Sequence, residues 1–148
     1  MLKVHYETEA MRVSYDETLE LGIGEWKGFV SSKELRETAL RSLEFVNQHR
    51  ITRWLADRRH MKAIRQQDQQ WTVEEFVPKM LESPLRRMAT VVSEDIFNQM
   101  AMEQMMKRSG GLGNITLRNF GKVSEAMEWL KQPFDEATSA GTDTLRAE

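Results

Sequence analysis

Asp57, Arg58, Arg59 and His60 follow directly on a short apolar run, Trp54-Leu55-Ala56, and are the residues of this chain best placed to do chemistry. A carboxylate and an imidazole can exchange protons near neutral pH. Two adjacent guanidiniums can grip a carboxylate or a phosphate. Catalysis by Asp57 and His60 would need a nucleophile or cofactor motif, and the chain has no Gly-x-Ser-x-Gly, no P-loop and no cysteine. The structural alternative has Asp57 cap backbone amides or pair with Arg59 at a strand end. That alternative is preferred, and the chain is read as non-enzymatic. His5, His49 and His60 fall on different predicted elements without the close helical spacing of zinc ligands, so neither a metal nor another cofactor is expected.

The wider charge pattern is basic around this stretch. Arg50, Arg53, Arg58, Arg59, His60, Lys62 and Arg65 run through it, and Arg86 and Arg87 are candidates to join it. An anionic ligand, a phosphorylated partner or an anionic membrane surface would suit such a run. A solvated loop balanced by the acidic N-terminal strands is the preferred alternative. Trp26, Trp54, Trp71 and Trp129 either line an apolar cavity or anchor a dense core, and the core is preferred because small domains pack tightly. The ten methionines read as core filler.

The elements that must position these groups are legible in the periodicity. Leu2–Tyr6, Met11–Tyr15 and Leu19–Trp26 alternate with period two and predict three strands. Gly22 and Gly24 share a face with Trp26, leaving room for a helix, a ring or a ligand, with close helix packing preferred. Ser31 and Glu34 form a capping box ahead of a helix that buries Leu35, Ala39, Leu43 and Val46. Ile51–Asp57 is the central strand. Asp68 is a candidate cap for a helix containing Trp71, Phe76 and Val77, and Pro78 kinks or restarts it. Met88–Val92 is a strand, followed by a helix capped by Ser93 or Asp95 that buries Ile96, Phe97, Met100 and Met105. Gly110-Gly111 stops that helix rather than cradling phosphate, because a strand, not a helix, follows. Ile115–Leu117 is the last strand. Val123–Lys131 is the last helix, with Ser124 as candidate cap.

The alternation predicts an α/β domain with a mixed sheet, its antiparallel strands first and helix–strand units after. Residues 1–132 form one domain and 133–148 a mobile polar tail. The net charge of −2 argues against a nucleic-acid partner. No signal peptide and no apolar stretch long enough to span a bilayer is visible, so the expected location is cytoplasmic. A homodimer through the N-terminal sheet edge is an open alternative.

This order of elements resembles the SpoIIAA-like branch of the STAS fold, and more narrowly small bacterial proteins related to STAS and CRAL-TRIO domains. The resemblance is carried by Trp26-Lys27-Gly28, by Trp54 to Arg59, by Asp68 with Trp71, by Ala89-Thr90-Val91-Val92, and by Ala126 with Trp129-Leu130. It spans about Val4 to Lys131. It implies a binding or regulatory module that meets a partner protein or small anionic ligand through Asp57, Arg58, Arg59, His60 and Trp71. The alternative it implies is a small carrier of a lipid or apolar ligand, like CRAL-TRIO domains. One departure matters: no Ser or Thr stands between Asp57 and Trp71, where the family's anti-sigma-factor antagonists carry their phosphorylated hydroxyl.

Overall fold

The computed structural model describes residues 2–134. Six strands lie in one sheet in chain order: β1 (Lys3–Glu7), β2 (Met11–Asp16), β3 (Leu21–Trp26), β4 (Arg53–Asp57), β5 (Arg87–Val91) and β6 (Thr116–Phe120). The first three are antiparallel, and β3 to β6 run parallel. The mixed α/β sheet expected from the alternation is therefore present. Most of the proposed tail, 135–148, lies outside the described residues. Pro133 and Phe134 are held. The Arg87 guanidinium donates to the carbonyls of Gln132 and Pro133, and the guanidiniums of Arg53 and Arg86 lie 4.4 and 3.8 Å from the Phe134 ring.

Each parallel step advances in the same direction, so right-handed crossovers must put every connecting helix on the same face. That face carries α1 (Ser32–His49), α2 (Gln66–Trp71), a π-helical turn (Thr72–Phe76), α3 (Val77–Met80) and α4 (Ile96–Ser109). Its core joins Met11, Val13, Trp26, Trp54 and Ala56 of the sheet to Leu43, Val46, Met80 and Met105 of the helices. The other face is covered by α5 (Val123–Lys131), which buries Ala126 and Leu130 against Leu21, Leu55, Ala89 and Val91. Strand alternation sorts β4 between the two layers: Trp54 and Ala56 face the helical layer, while Arg53, Leu55 and Asp57 face the side of α5.

Local chemistry explains most element ends. Ser31 and Glu34 make the expected capping box, and Asp95 caps α4 through the amides of Phe97 and Asn98. Two expected caps are corrected. Arg65 stands at the N-cap of α2, while Asp68, one turn in, is buried and accepts from Ser32 Oγ at 2.7 Å and Arg36 Nε at 3.3 Å. Lys122, not Ser124, precedes α5, with no side-chain cap. The restart at Pro78 takes the form of the π-helical turn. Thr72 Oγ1 donates to the Asp68 carbonyl at 2.7 Å, and Pro78 has no N–H to continue the ladder, so the helix widens between them.

Two packing expectations are also overturned. Ile96, Phe97 and Met100 are exposed, Phe97 at 66%, while Asn98, Ala101 and Met105 are the buried face of α4. Asn98 turns inward because its Nδ2 donates to the Lys62 carbonyl at 2.8 Å, and this rotates the apolar start of the helix outward. At Gly22 and Gly24 the missing side chains admit a ring rather than a helix. A Cβ on Gly22 would lie 2.5 Å from the Trp54 indole, and one on Gly24 2.7 Å from it.

Two outcomes are expected. Gly22→Ala drives a methyl group into the indole and lowers stability by about 1–3 kcal/mol, as read from urea melts. His5 packs beside Phe45 and His49, with ring centroids 4.4 and 5.6 Å away. Desolvation, then the charges of His49 and Arg41, hold its pKa below the ordinary value. The folded state therefore releases this proton more readily than the unfolded chain. Stability from His5 is fully present above about pH 6.5, the unfolded value, and is lost progressively below it as pH falls through the lower folded value. A small drop in melting temperature from pH 7.5 to 5.5 is expected, and it shrinks in His5→Phe.

Candidate functional site

The exit of β4 divides its charged residues between the two faces. Asp57 is buried and is bound by Arg59, whose Nε and Nη2 donate to its two oxygens at 3.0 and 2.8 Å. The Arg59 amide adds a third bond at 3.2 Å. Asp57 thus takes the structural alternative, and Arg59 spends its fork on it. His60 is exposed on the turn that follows. Arg58 alternates to the opposite side and enters the helical layer.

There it lines a cavity of about 140 Å³ between the sheet and the helices. The floor is Trp26, Trp54, Ala56, Met88, Thr90 and Leu117 from the strands. The walls come from α1 through Leu35, Ala39, Leu43 and Val46, from the π-helical turn and α3 through Thr72, Phe76, Val77 and Met80, and from α4 through Met102, Met105 and Met106. The half-buried residues Thr72, Phe76 and Val77 on one side, and Met102, Met106 and Ser109 on the other, mark the rim of this partly open space. Seven methionines line it: Met11, Met61, Met80, Met88, Met102, Met105 and Met106. All seven also belong to the hydrophobic core or pack against it, as expected of methionine used as core filler. Their unbranched thioethers make walls that adjust to different shapes.

Arg58 is the charged group in this lining. The residue as a whole is half-buried, while its Nε is sealed from solvent with no hydrogen-bond partner among the described residues. Its Nη1 donates to the Met61 sulfur at 3.5 Å, and its guanidinium carbon lies 6.0 Å from the centre of the Trp26 ring. Burial pushes its pKa down to about 10, which leaves the group charged at neutral pH.

The loop that carries Arg58 is clamped through its carbonyls. Ser93 Oγ donates to Met61 at 2.6 Å, Asn98 Nδ2 to Lys62 at 2.8 Å, Gln69 Nε2 to Ile64 at 2.9 Å, and the Glu94 amide to Arg59 at 3.2 Å. Together they fix the backbone that aims Arg58 inward.

The other expected site features are dispersed. Trp71, at the end of α2, is half-buried against the core of the helical layer and outside the cavity lining, stacked on Phe76 at 5.9 Å with Arg36 5.5 Å from its ring. Trp26 and Trp54 line the cavity, while Trp129 belongs to the α5 side. The basic run is not one patch. Arg53, Arg86 and Arg87 stand at the starts of β4 and β5, whereas Arg58 to Arg65 lie beyond the end of β4, about 15 Å away along a five-residue strand. Among the described residues no group of His, Asp and Glu is arranged to hold a metal, and no helix is long and apolar enough to cross a membrane.

Sequence reasoning singled out Arg58 but not the direction it faces, read the methionines as core filler, and gave Thr90 no part in a site. The usable signal was the alternation Trp54-Ala56-Arg58, which places a cation on the same strand face as a tryptophan. Comparison with protein-family models, curated proteins and solved structures gives no match for this chain, so its chemistry rests on its own residues.

A cation buried without an anion destabilises its own fold, and replacing such a group by an apolar one of similar volume is often stabilising. Arg58→Met is therefore expected to raise stability by about 1–3 kcal/mol in urea melts of the ligand-free protein. A loss of that size would show that Arg58 holds the fold together.

Proposed function

We propose that this protein is a non-catalytic, cytoplasmic binding module of SpoIIAA-like arrangement that holds a small apolar ligand between its sheet and its helical layer. The observation that carries this reading is the methionine-rich cavity of about 140 Å³. Protein interiors are normally packed to the density of organic crystals, and an apolar void of roughly 150 Å³ is large enough to take up benzene. The space therefore suits a ligand body of six to nine heavy atoms, by about that scale, with any longer tail passing the rim beside Phe76 and Met106.

The lining also supports binding over catalysis. Among the described residues its side chains are apolar apart from Arg58, the hydroxyls of Ser42, Thr72, Thr90 and Ser109, and the indole N–H groups of Trp26 and Trp54. Ser42, Thr72 and Ser109 are engaged with Tyr6 and Met11, with the Asp68 carbonyl and with the Met106 carbonyl. A general acid or base would have to reach in from elsewhere.

The test is thermal unfolding with 2-phenylethanol and toluene as probes. A ligand at ten times its Kd stabilises the folded state by about 1.4 kcal/mol, so melting temperature should rise with probe concentration. Met102→Trp, which fills the cavity from its rim, should melt normally and lose that response. Native mass spectrometry of freshly purified wild-type protein should show a bound small molecule. Wild-type melting indifferent to both probes, with a clean ligand-free mass, would contradict the reading.

A further inference from the structure

The cavity offers a ligand charge and hydrogen-bond donors but no anion. Arg58 brings a charged guanidinium whose Nε has no acceptor. Thr90 is buried on the neighbouring strand and lines the cavity, where its hydroxyl can donate to a ligand. It pairs in register with Ala56, two residues before Arg58 on the same face, so the two side chains converge on one end of the cavity. The indoles of Trp26 and Trp54 line the same space. No carboxylate side chain lines the space to answer them. Asp57, the nearest in sequence, is on the opposite face and engaged by Arg59.

This arrangement has a definite chemical complement. A fixed cation with flanking donors binds an anion with two oxygens in one plane, and a guanidinium matches a carboxylate best because both are planar forks. The walls beyond it are apolar and exclude a doubly charged, strongly hydrated group such as a free phosphate, whose remaining charge would be stranded. Resting on the reading that this cavity binds a small molecule, we infer that its ligand is a monocarboxylate with an apolar body about the size of a benzene ring. Its carboxylate is held by Arg58 with Thr90, and its body is held among the methionines. The ligand supplies the counter-charge that the fold withholds from Arg58.

Matched pairs of probes test this: phenylacetate against 2-phenylethanol, and octanoate against octan-1-ol. Each pair keeps its apolar body and differs in the charged head. Intrinsic tryptophan fluorescence reports binding, because Trp26 and Trp54 line the cavity. Wild-type protein is expected to bind each acid at least tenfold more tightly than its alcohol. Arg58→Met is expected to keep the alcohols and lose the preference, and Thr90→Val to reduce it about threefold. Acid and alcohol binding equally to wild-type protein would overturn the inference while leaving the apolar site standing, and this comparison needs no variant to fold. A preference for the acid that survives in Arg58→Met, with circular dichroism showing a folded variant, would also overturn it. Binding of neither probe class would overturn both this inference and the site itself.

Discussion

A guanidinium partly withdrawn from water without an anion is expensive, and the fold around β4 is built so that Arg58, with its Nε sealed, bears that cost. Moving such an ion into a protein interior costs several kcal/mol even after relaxation. A carboxylate stands next to it in the chain, yet Asp57 cannot help. Strand alternation sends residues 57 and 58 to opposite faces, and the fork of Arg59 closes on Asp57. The carbonyl clamps from Ser93, Asn98, Gln69 and Glu94 hold the following loop and so fix the backbone from which Arg58 enters the helical layer. The arrangement makes sense if the missing charge arrives with a ligand.

The cavity itself follows from topology. Three same-direction crossovers place α1, the α2–α3 segment and α4 on one face, leaving α5 alone to cover the other. The crowded face must accommodate three helical layers of unequal length. α2 and α3 are short and interrupted by a π-helical turn, and α4 is turned by Asn98. Gly22 and Gly24 let the Trp54 indole lie against β3, so it forms a floor instead of filling the gap. Methionine completes the walls, a side chain that packs tolerably whether or not the space is filled.

Much of this fold was legible in the sequence, because strand alternation, the Ser31–Glu34 capping box and the glycine stop at Gly110 are local signals. What was not legible depended on distant partners. Nothing near Phe97 in the chain tells that Asn98 will reach the Lys62 carbonyl and rotate the helix. Asp68 has the composition of a cap, but Ser32 and Arg36 on another helix draw it inside. The basic run looked continuous because Arg53 and Arg58 are five residues apart, and a strand makes that distance the depth of the sheet. The pairing of Asp57 with Arg59 was readable, being two residues long. Its consequence for Arg58 was not, since the cavity is assembled from segments as distant as Met11 and Leu117.

The central claim is that Arg58 Nε waits for a carboxylate, and that group can be observed directly. In a ¹H–¹⁵N spectrum of the arginine side chains, the Arg58 Nε–H resonance is identified by its loss in Arg58→Met. Phenylacetate is expected to shift it downfield and slow its exchange with water, while 2-phenylethanol leaves its position nearly unchanged. A resonance that ignores phenylacetate at concentrations saturating the tryptophan signal would contradict the account.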